Sequence, residues 1–330
     1  MRIGIYGICK NEKDFVERCL NSVKEADVIA FCDTGSTDGT WELLQNFDHP
    51  NKIVKQICVS PWRFDDARNV ALMSLPPDVD MCISIDADEM LEPGWREVLT
   101  AAITKDAATL GKIPERYNHR FKTIWDWTGA GTNISEHWHE RIHARHNYRW
   151  KLPVHEVLVK SDGSDEVACW VPELMMVQKP DTTKNRGSYL PMLEQSVKED
   201  PKRWKSLSFL AGEYMNAGRI DDAIKTMQTC LELPDSDKAF LSYQLSTIYQ
   251  RKGDMDWAII SMLNAGKFAP HVREYVVYLG QVYLAAGRKS DALSAFNCAL
   301  LIAERTYGYE YNPQCWGETF EEYVKSCRML

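Results

Sequence analysis

The chain has 330 residues, 45% of them apolar and 26% charged, with a formal net charge of −8. That length suits about two domains, and the acidic balance argues against a protein that coats nucleic acid regardless of sequence, although a local basic groove is compatible with it. No window holds ~18 uninterrupted apolar residues, and the opening Met-Arg-Ile-Gly-Ile-Tyr reads as a strand and not as a leader, which points to a cytoplasmic protein without membrane insertion.

Residues 2–9 are an apolar strand, and Lys10-Asn11-Glu12 leads from it into a helix over 14–23. A second strand at 28–32 ends in the polar turn Asp33-Thr34-Gly35-Ser36-Thr37-Asp38-Gly39-Thr40, which opens a helix over 41–47. A strand at 53–59, a helix over 67–74 and a strand at 81–85 continue the alternation. Strands and helices alternating at this spacing imply a mostly parallel sheet with right-handed crossovers. The ten cysteines lie scattered through apolar stretches with no CxxC pair, so they read as reduced core residues.

The fourth strand delivers Asp86, Asp88 and Glu89 to its carboxyl end, where open α/β sheets bind ligands. Crowded carboxylates need a cation, and hard oxygen ligands suit Mn²⁺ or Mg²⁺ with coordination positions left for phosphate oxygens. An acid-capped turn is the bland alternative. Neither GxGxxG nor GxxxxGK[ST] occurs, which disfavours dinucleotide and P-loop sites.

Lys10-Asn11-Glu12, the Asp33–Thr40 turn, Trp62-Arg63-Phe64-Asp65-Asp66-Ala67-Arg68-Asn69 and Asp86-Ala87-Asp88-Glu89 resemble, in this order, the motifs of family 2 glycosyltransferases with the GT-A fold. The resemblance implies a nucleotide-sugar site: a Rossmann-like mixed sheet with Asn11, Glu12, Asp33, Asp66, Arg68 and Asp86 along a UDP-sugar. Asp86 and Asp88 would be the DxD pair, with Asp88 the direct metal ligand and Asp86 shared between ribose and metal. Residues 149–158 resemble the segment that closes the sheet beside the sugar in relatives with helical-repeat tails. There His155 would be a third metal contact or hold the diphosphate, and Glu156 would be the general base, with Glu140 and Asp126 as rivals. Relatives often carry a histidine where this chain has Val177-Gln178-Lys179-Pro180, so Lys179 is a candidate diphosphate contact.

Residues 111–151 are dense in Trp, Tyr, Arg and His. Aromatic faces and forked donors suit a ring-bearing polar acceptor, which makes Trp125, Trp127, Trp138, Arg141 and Trp150 candidate acceptor contacts, with a mobile loop expected near residues 129–131. The His137–His143 run also hints at a transition-metal site, but the alternation fits side chains on two faces of a strand.

In the second half Tyr214, Tyr249 and Tyr283 recur at intervals of 35 and 34 residues, as do Gly218/Gly253/Gly287 and Ala223/Ala258/Ala292. With Leu210/Leu245/Leu279 and Met227/Met262/Phe296 they resemble tetratricopeptide repeats, led by a helix at 189–199 and followed by one at 318–327. The expected organisation is a glycosyltransferase domain over 1–185 and an all-α repeat domain over 186–330, the latter a surface for a protein partner or a rigid extension. The reading is an inverting, metal-assisted transferase moving a hexose from a UDP-sugar to a saccharide or protein-linked acceptor. The alternatives are transfer to a hydroxylated DNA base, or a repeat-based interaction protein with a vestigial catalytic domain. A nucleotidyltransferase would need a Gly-rich basic loop after the first strand, which residues 8–12 lack.

Overall fold

The computed structural model describes residues 1–124, 134–180, 189–306 and 312–329. The chain divides into two compact units, Met1–Asn185 and Arg186–Leu330.

In the first unit β1 (Ile3–Cys9), β2 (Val28–Asp33), β3 (Lys52–Gln56) and β4 (Met81–Ser84) form the parallel half of an eight-stranded sheet ordered β3-β2-β1-β4-β7-β6-β10-β5. Every residue of β1 is buried, as expected of a central strand covered on both faces. Gly7 permits the tight fit there: a Cβ would stand 2.4 Å from the Ile85 carbonyl oxygen. Helices α1 (Val16–Ser22), α2 (Thr40–Asn46) and α4 (Trp95–Leu110) contribute to the core on one face of β1, and α3 (Phe64–Ser74) to the core on the other. Three elements are shorter or shifted relative to expectation. The third strand stops at Gln56, the fourth at Ser84, and the helix expected from 67 already starts at Phe64.

The rest of the sheet is mixed. β7 (Ile134–Ala144) pairs antiparallel with β4 and with β6 (Arg116–Ile124), β10 (Ala168–Gln178) runs parallel to β6, and β5 (Glu89–Leu91) closes the edge antiparallel to β10. Only residues 85–88 join β4 to β5, yet three strands lie between them in the sheet, so the sheet must curl until its β5 edge returns to the end of β4. A separate hairpin, β8 (Tyr148–Lys151) and β9 (Val157–Lys160), carries residues 152–156 in its turn.

The second unit is helical. It opens with α5 (Tyr189–Glu199), continues through the pairs α6 (Trp204–Asn216)/α7 (Ile220–Glu232), α8 (Lys238–Lys252)/α9 (Met255–Phe268) and α10 (Arg273–Ala285)/α11 (Lys289–Leu300), and ends with α12 (Gly317–Met329). Each pair turns through the same cap. Gly218, Gly253 and Gly287 take φ of 77, 84 and 76°. The next residue's N–H reaches back to Tyr214, Tyr249 or Tyr283 at 2.8, 3.0 and 2.8 Å. Ala223, Ala258 and Ala292 are wholly buried where the two helices of a pair meet. The third pair differs from its neighbours in a matched way. Phe296 stands where the others have Met227 and Met262, and its ring fills the space that Gly280 leaves in place of Ala211 and Ser246; a Cβ on Gly280 would lie 2.2 Å from it.

Candidate active site

Two loops at the carboxyl ends of β1 and β2 are tied to each other. The Asn11 N–H donates to Ser36 Oγ at 2.9 Å, Thr37 N–H donates to Asn11 Oδ1 at 2.8 Å, and Glu12 N–H donates to Thr40 Oγ1 at 2.7 Å. Asn11 adopts φ 55°, a conformation Asn tolerates better than most residues. Asp33 is fully buried; its Oδ1 accepts the N–H groups of Gly35 and Ser36, both at 2.9 Å, leaving Oδ2 with only the weak Cys9 thiol contact at 3.9 Å.

Beyond β4, five charged side chains of alternating sign form a chain: Glu89, Arg141, Asp86, Arg68, Glu156. Arg141 Nη1 donates to Glu89 Oε2 at 3.0 Å and to Asp86 Oδ2 at 2.9 Å. Arg68 meets the other side of Asp86, Nη1 to Oδ1 at 2.7 Å and Nη2 to Oδ2 at 3.1 Å, and its Nε donates to Glu156. Burial alone would raise the Asp86 pKa, but Arg141 and Arg68 outweigh it and hold the carboxyl well below the usual range. Glu89 is wholly buried; burial pushes it up to about 8, with Arg141 opposing and Asp86 and Asp88 adding to the rise. Its Oε2 also accepts the Asp86 N–H at 2.8 Å, and its Oε1 has no hydrogen-bond partner.

Asp88 stands outside this chain. Its Oδ2 accepts the neutral Gln178 amide at 3.1 Å, and its carbonyl accepts the Lys179 N–H at 2.9 Å and Arg18 Nη2 at 3.3 Å. Gln178 arrives because it ends β10 in register with Glu89. Sequence reading singles out its neighbour Lys179 for the diphosphate and passes over Gln178. Burial and nearby Arg18 lower the pKa of the Lys179 ammonium.

Glu156 is brought to Arg68 by a turn in which Leu152 and His155 take φ of 82 and 50°. Positive φ at two non-glycine residues is costly, and such strain gathers at functional turns. His155 itself is exposed. Among the described residues no three His, Cys, Asp or Glu side chains converge as a metal-holding group.

The remaining candidates scatter. Asp66 is exposed beside Arg63, 3.8 Å from its Nε. Glu140 pairs with Arg116 at 2.9 Å, in a set that includes Glu166, apart from the Asp86 chain. Trp150 is buried; its Nε1 donates to Tyr6 Oη at 2.8 Å and its ring lies under the Arg68 guanidinium at 5.3 Å, so it supports Arg68 and has no face to offer an acceptor. Trp138 is exposed and packs edge-to-face on exposed Trp170 at 4.6 Å. Trp125, Trp127, Asp126 and the 129–131 loop lie outside the described residues.

The His137–His143 run does split between surroundings. His119, His137 and His139 neighbour one another across β6 and β7, with ring centroids 6.1 Å apart for 119–139 and 5.5 Å for 137–139. His143 instead meets Tyr6 Oη at 2.8 Å. Burial drives His119 and His143 down to about 3, so both are neutral.

Comparison with known proteins agrees with this layout. Residues 6–163 match glycosyl transferase family 2. The lipopolysaccharide core biosynthesis glycosyltransferase LpsC of Rhizobium meliloti (strain 1021) is 30% identical over 105 residues, 32% of this chain and 38% of the relative. The chain thus spans well under half of that protein. Among solved structures, MamA aligns at 23% identity over 34% of this chain and 66% of its own, with a TM-score of 0.31. The Yersinia enterocolitica type III secretion chaperone SycD, solved with a peptide of the translocator YopD, aligns at 18% identity over 38% of this chain and 92% of its own, with a TM-score of 0.32. No helix among the described residues is long and apolar enough to cross a membrane. From the motifs at the ends of β1, β2 and β4 and the match over residues 6–163, the N-terminal unit is a domain of glycosyl transferase family 2.

Proposed function

We propose that this unit transfers a hexose from a UDP-sugar to an acceptor hydroxyl with inversion at the anomeric carbon. The observation that carries the reading is the grouping of Asp33, Asp86, Asp88, Arg68 and Glu156 along the carboxyl edge of the parallel strands. Asp33 Oδ2 would accept the uracil N–H, since Oδ1 is already spent on its own turn. Glu156, fixed by Arg68, would take the proton from the attacking hydroxyl.

The donor set fits a divalent ion at one carboxylate. Asp86 faces two guanidiniums, so it suits ribose or water contacts, which leaves Asp88, the second acid of the motif, for the ion. Mg²⁺ is commonly held by one or two carboxylates plus substrate phosphates, so Asp88 is the ligand we assign, with Mn²⁺ as the alternative ion. When bound, the ion would supply positive charge to the departing diphosphate. Lys179 and His155 would stand at the rim of that site.

For the acceptor we favour a saccharide, in keeping with the lipopolysaccharide core named for the Rhizobium relative. The test is UDP release from UDP-sugars across saccharide, peptide and hydroxymethylated-DNA acceptors at two salt concentrations. A saccharide acceptor should give turnover with almost no salt slope. Turnover confined to DNA, falling steeply with salt, would overturn the assignment.

A further inference from the structure

Arg141 lies at an irregularity in β7. Ile142 pairs with Tyr117 and His139 with His119, so three steps on β7 match two on β6, and Glu140 with Arg141 shares the single place opposite Asn118. An extra residue of this kind re-aims side chains, and such bulges gather beside active sites. Here the two residues leave in different directions: Glu140 goes to Arg116, while Arg141 reaches the carboxylates that begin the β4–β5 link.

The acceptor role expected for Arg141 does not follow from this geometry. Its Nη1 is shared between two carboxylates, and its side chain is only 14% exposed. We propose, building on the transferase reading, that Arg141 is a positioning residue which holds Asp86 in its donor-facing orientation by bridging it to Glu89. The argument is electrostatic. Asp86 Oδ2 and Glu89 Oε2 both lie within 3.0 Å of one nitrogen, so Arg141 draws Asp86 toward Glu89, and without the guanidinium that pull on the Asp86 carboxylate is lost. Glu89 is wholly buried and pinned by the Asp86 N–H, whereas the Asp86 side chain is 24% exposed. Arg68 remains on the far side of Asp86 but is tethered to Glu156, so Asp86 would be drawn toward Arg68 and away from the β4–β5 link. Arg141 thus acts on the donor through Asp86 and touches no acceptor.

The experiment compares Arg141→Met, Arg141→Lys and the double variant Arg141→Met/Glu89→Gln. Readouts are melting temperature and UDP release from a UDP-sugar, first with acceptor omitted and then across acceptor concentrations. Arg141→Met should melt below wild type, because Asp86 loses one of its two guanidinium partners, and Glu89→Gln in the same chain, whose amide oxygen can still accept the Asp86 N–H, should change that melting temperature little. The double variant should still release UDP about 10²-fold more slowly, mostly through kcat, and Arg141→Lys should recover about tenfold of the deficit. Recovery of UDP release along with stability would overturn the proposal and leave Arg141 as a charge balance for Glu89. UDP release unchanged in every variant, with loss appearing only as a raised acceptor KM, would overturn it in favour of an acceptor contact. A wild-type protein that consumes no nucleotide sugar would sink the transferase reading instead; the melting temperatures then decide the bridge alone, and an Arg141→Met variant that melts with wild type overturns it.

Discussion

Gln178 Nε2 donates to Asp88 Oδ2 at 3.1 Å, a contact between the last residue of the last strand in the sheet and the second acid of the DxD motif. It orients that carboxylate with a neutral group while leaving its charge intact. Asp88→Asn keeps the hydrogen-bond acceptor and removes the charge. We expect melting within a few degrees of wild type and sugar transfer lowered at least ~10²-fold at saturating Mn²⁺. More than about a tenth of wild-type turnover would remove Asp88 from the metal site.

On the proposed reading, Asp33 divides its two oxygens between structure and recognition. Asp33→Asn preserves Oδ1 for Gly35 and Ser36 and places an amide where Oδ2 was. Wild type should be stabilised more by UDP than by GDP or CDP, and the variant should lose that preference with little change in its own melting temperature. Equal stabilisation of wild type by all three nucleotides would point to phosphate-only binding.

His119 is buried, with no hydrogen-bond partner at either ring nitrogen among the described residues, and its folded pKa of about 3 lies below the unfolded value. Between those values the unfolded chain binds a proton that the folded chain refuses, so stability falls as pH drops from about 6.5 toward 3, by up to ~1.4 kcal/mol per pH unit. His119→Leu removes this proton from the balance. Its melting temperature should fall less than that of wild type between pH 7 and 4.5, and parallel curves would contradict the assignment of a neutral buried imidazole.

In the repeats the sign of a Gly→Ala change should depend on position. Gly212 and Gly266 have open space where an added methyl would sit, so alanine should stabilise each by up to ~1 kcal/mol through helix propensity. Gly280→Ala drives a methyl into the Phe296 ring and should destabilise by ~1–3 kcal/mol. Thermal unfolding of the three variants checks it; a stabilised Gly280→Ala would mean that the ring moves aside cheaply.

Much of this architecture was legible because its signals are local or periodic. The acidic turns at strand ends and the Tyr–Gly–Ala spacing each report on a few neighbouring residues, and the three identical caps after Tyr214, Tyr249 and Tyr283 are the physical cause of that spacing. Side-chain partnerships across the fold were not legible. Trp150 reads as an acceptor platform until Tyr6, 144 positions away, is found on its indole nitrogen. Arg141 reads the same way until the register shift in β7 turns it toward Asp86. Gln178 and Lys179 differ by one residue, and only the pairing of β10 with β5 decides which side chain faces Asp88.

The curl of the sheet also bears on when the site comes into being during synthesis. β5 has one strand neighbour, β10, and the Asp88–Gln178 contact spans 90 positions of chain. A nascent chain that has emerged through β4 can already pair its parallel strands, but β5, at the far end of the acidic link, still lacks its strand partner. At ~5–20 residues per second that interval lasts several seconds. On the transferase reading, the donor site therefore stays incomplete in the growing polypeptide until β10 is threaded into place.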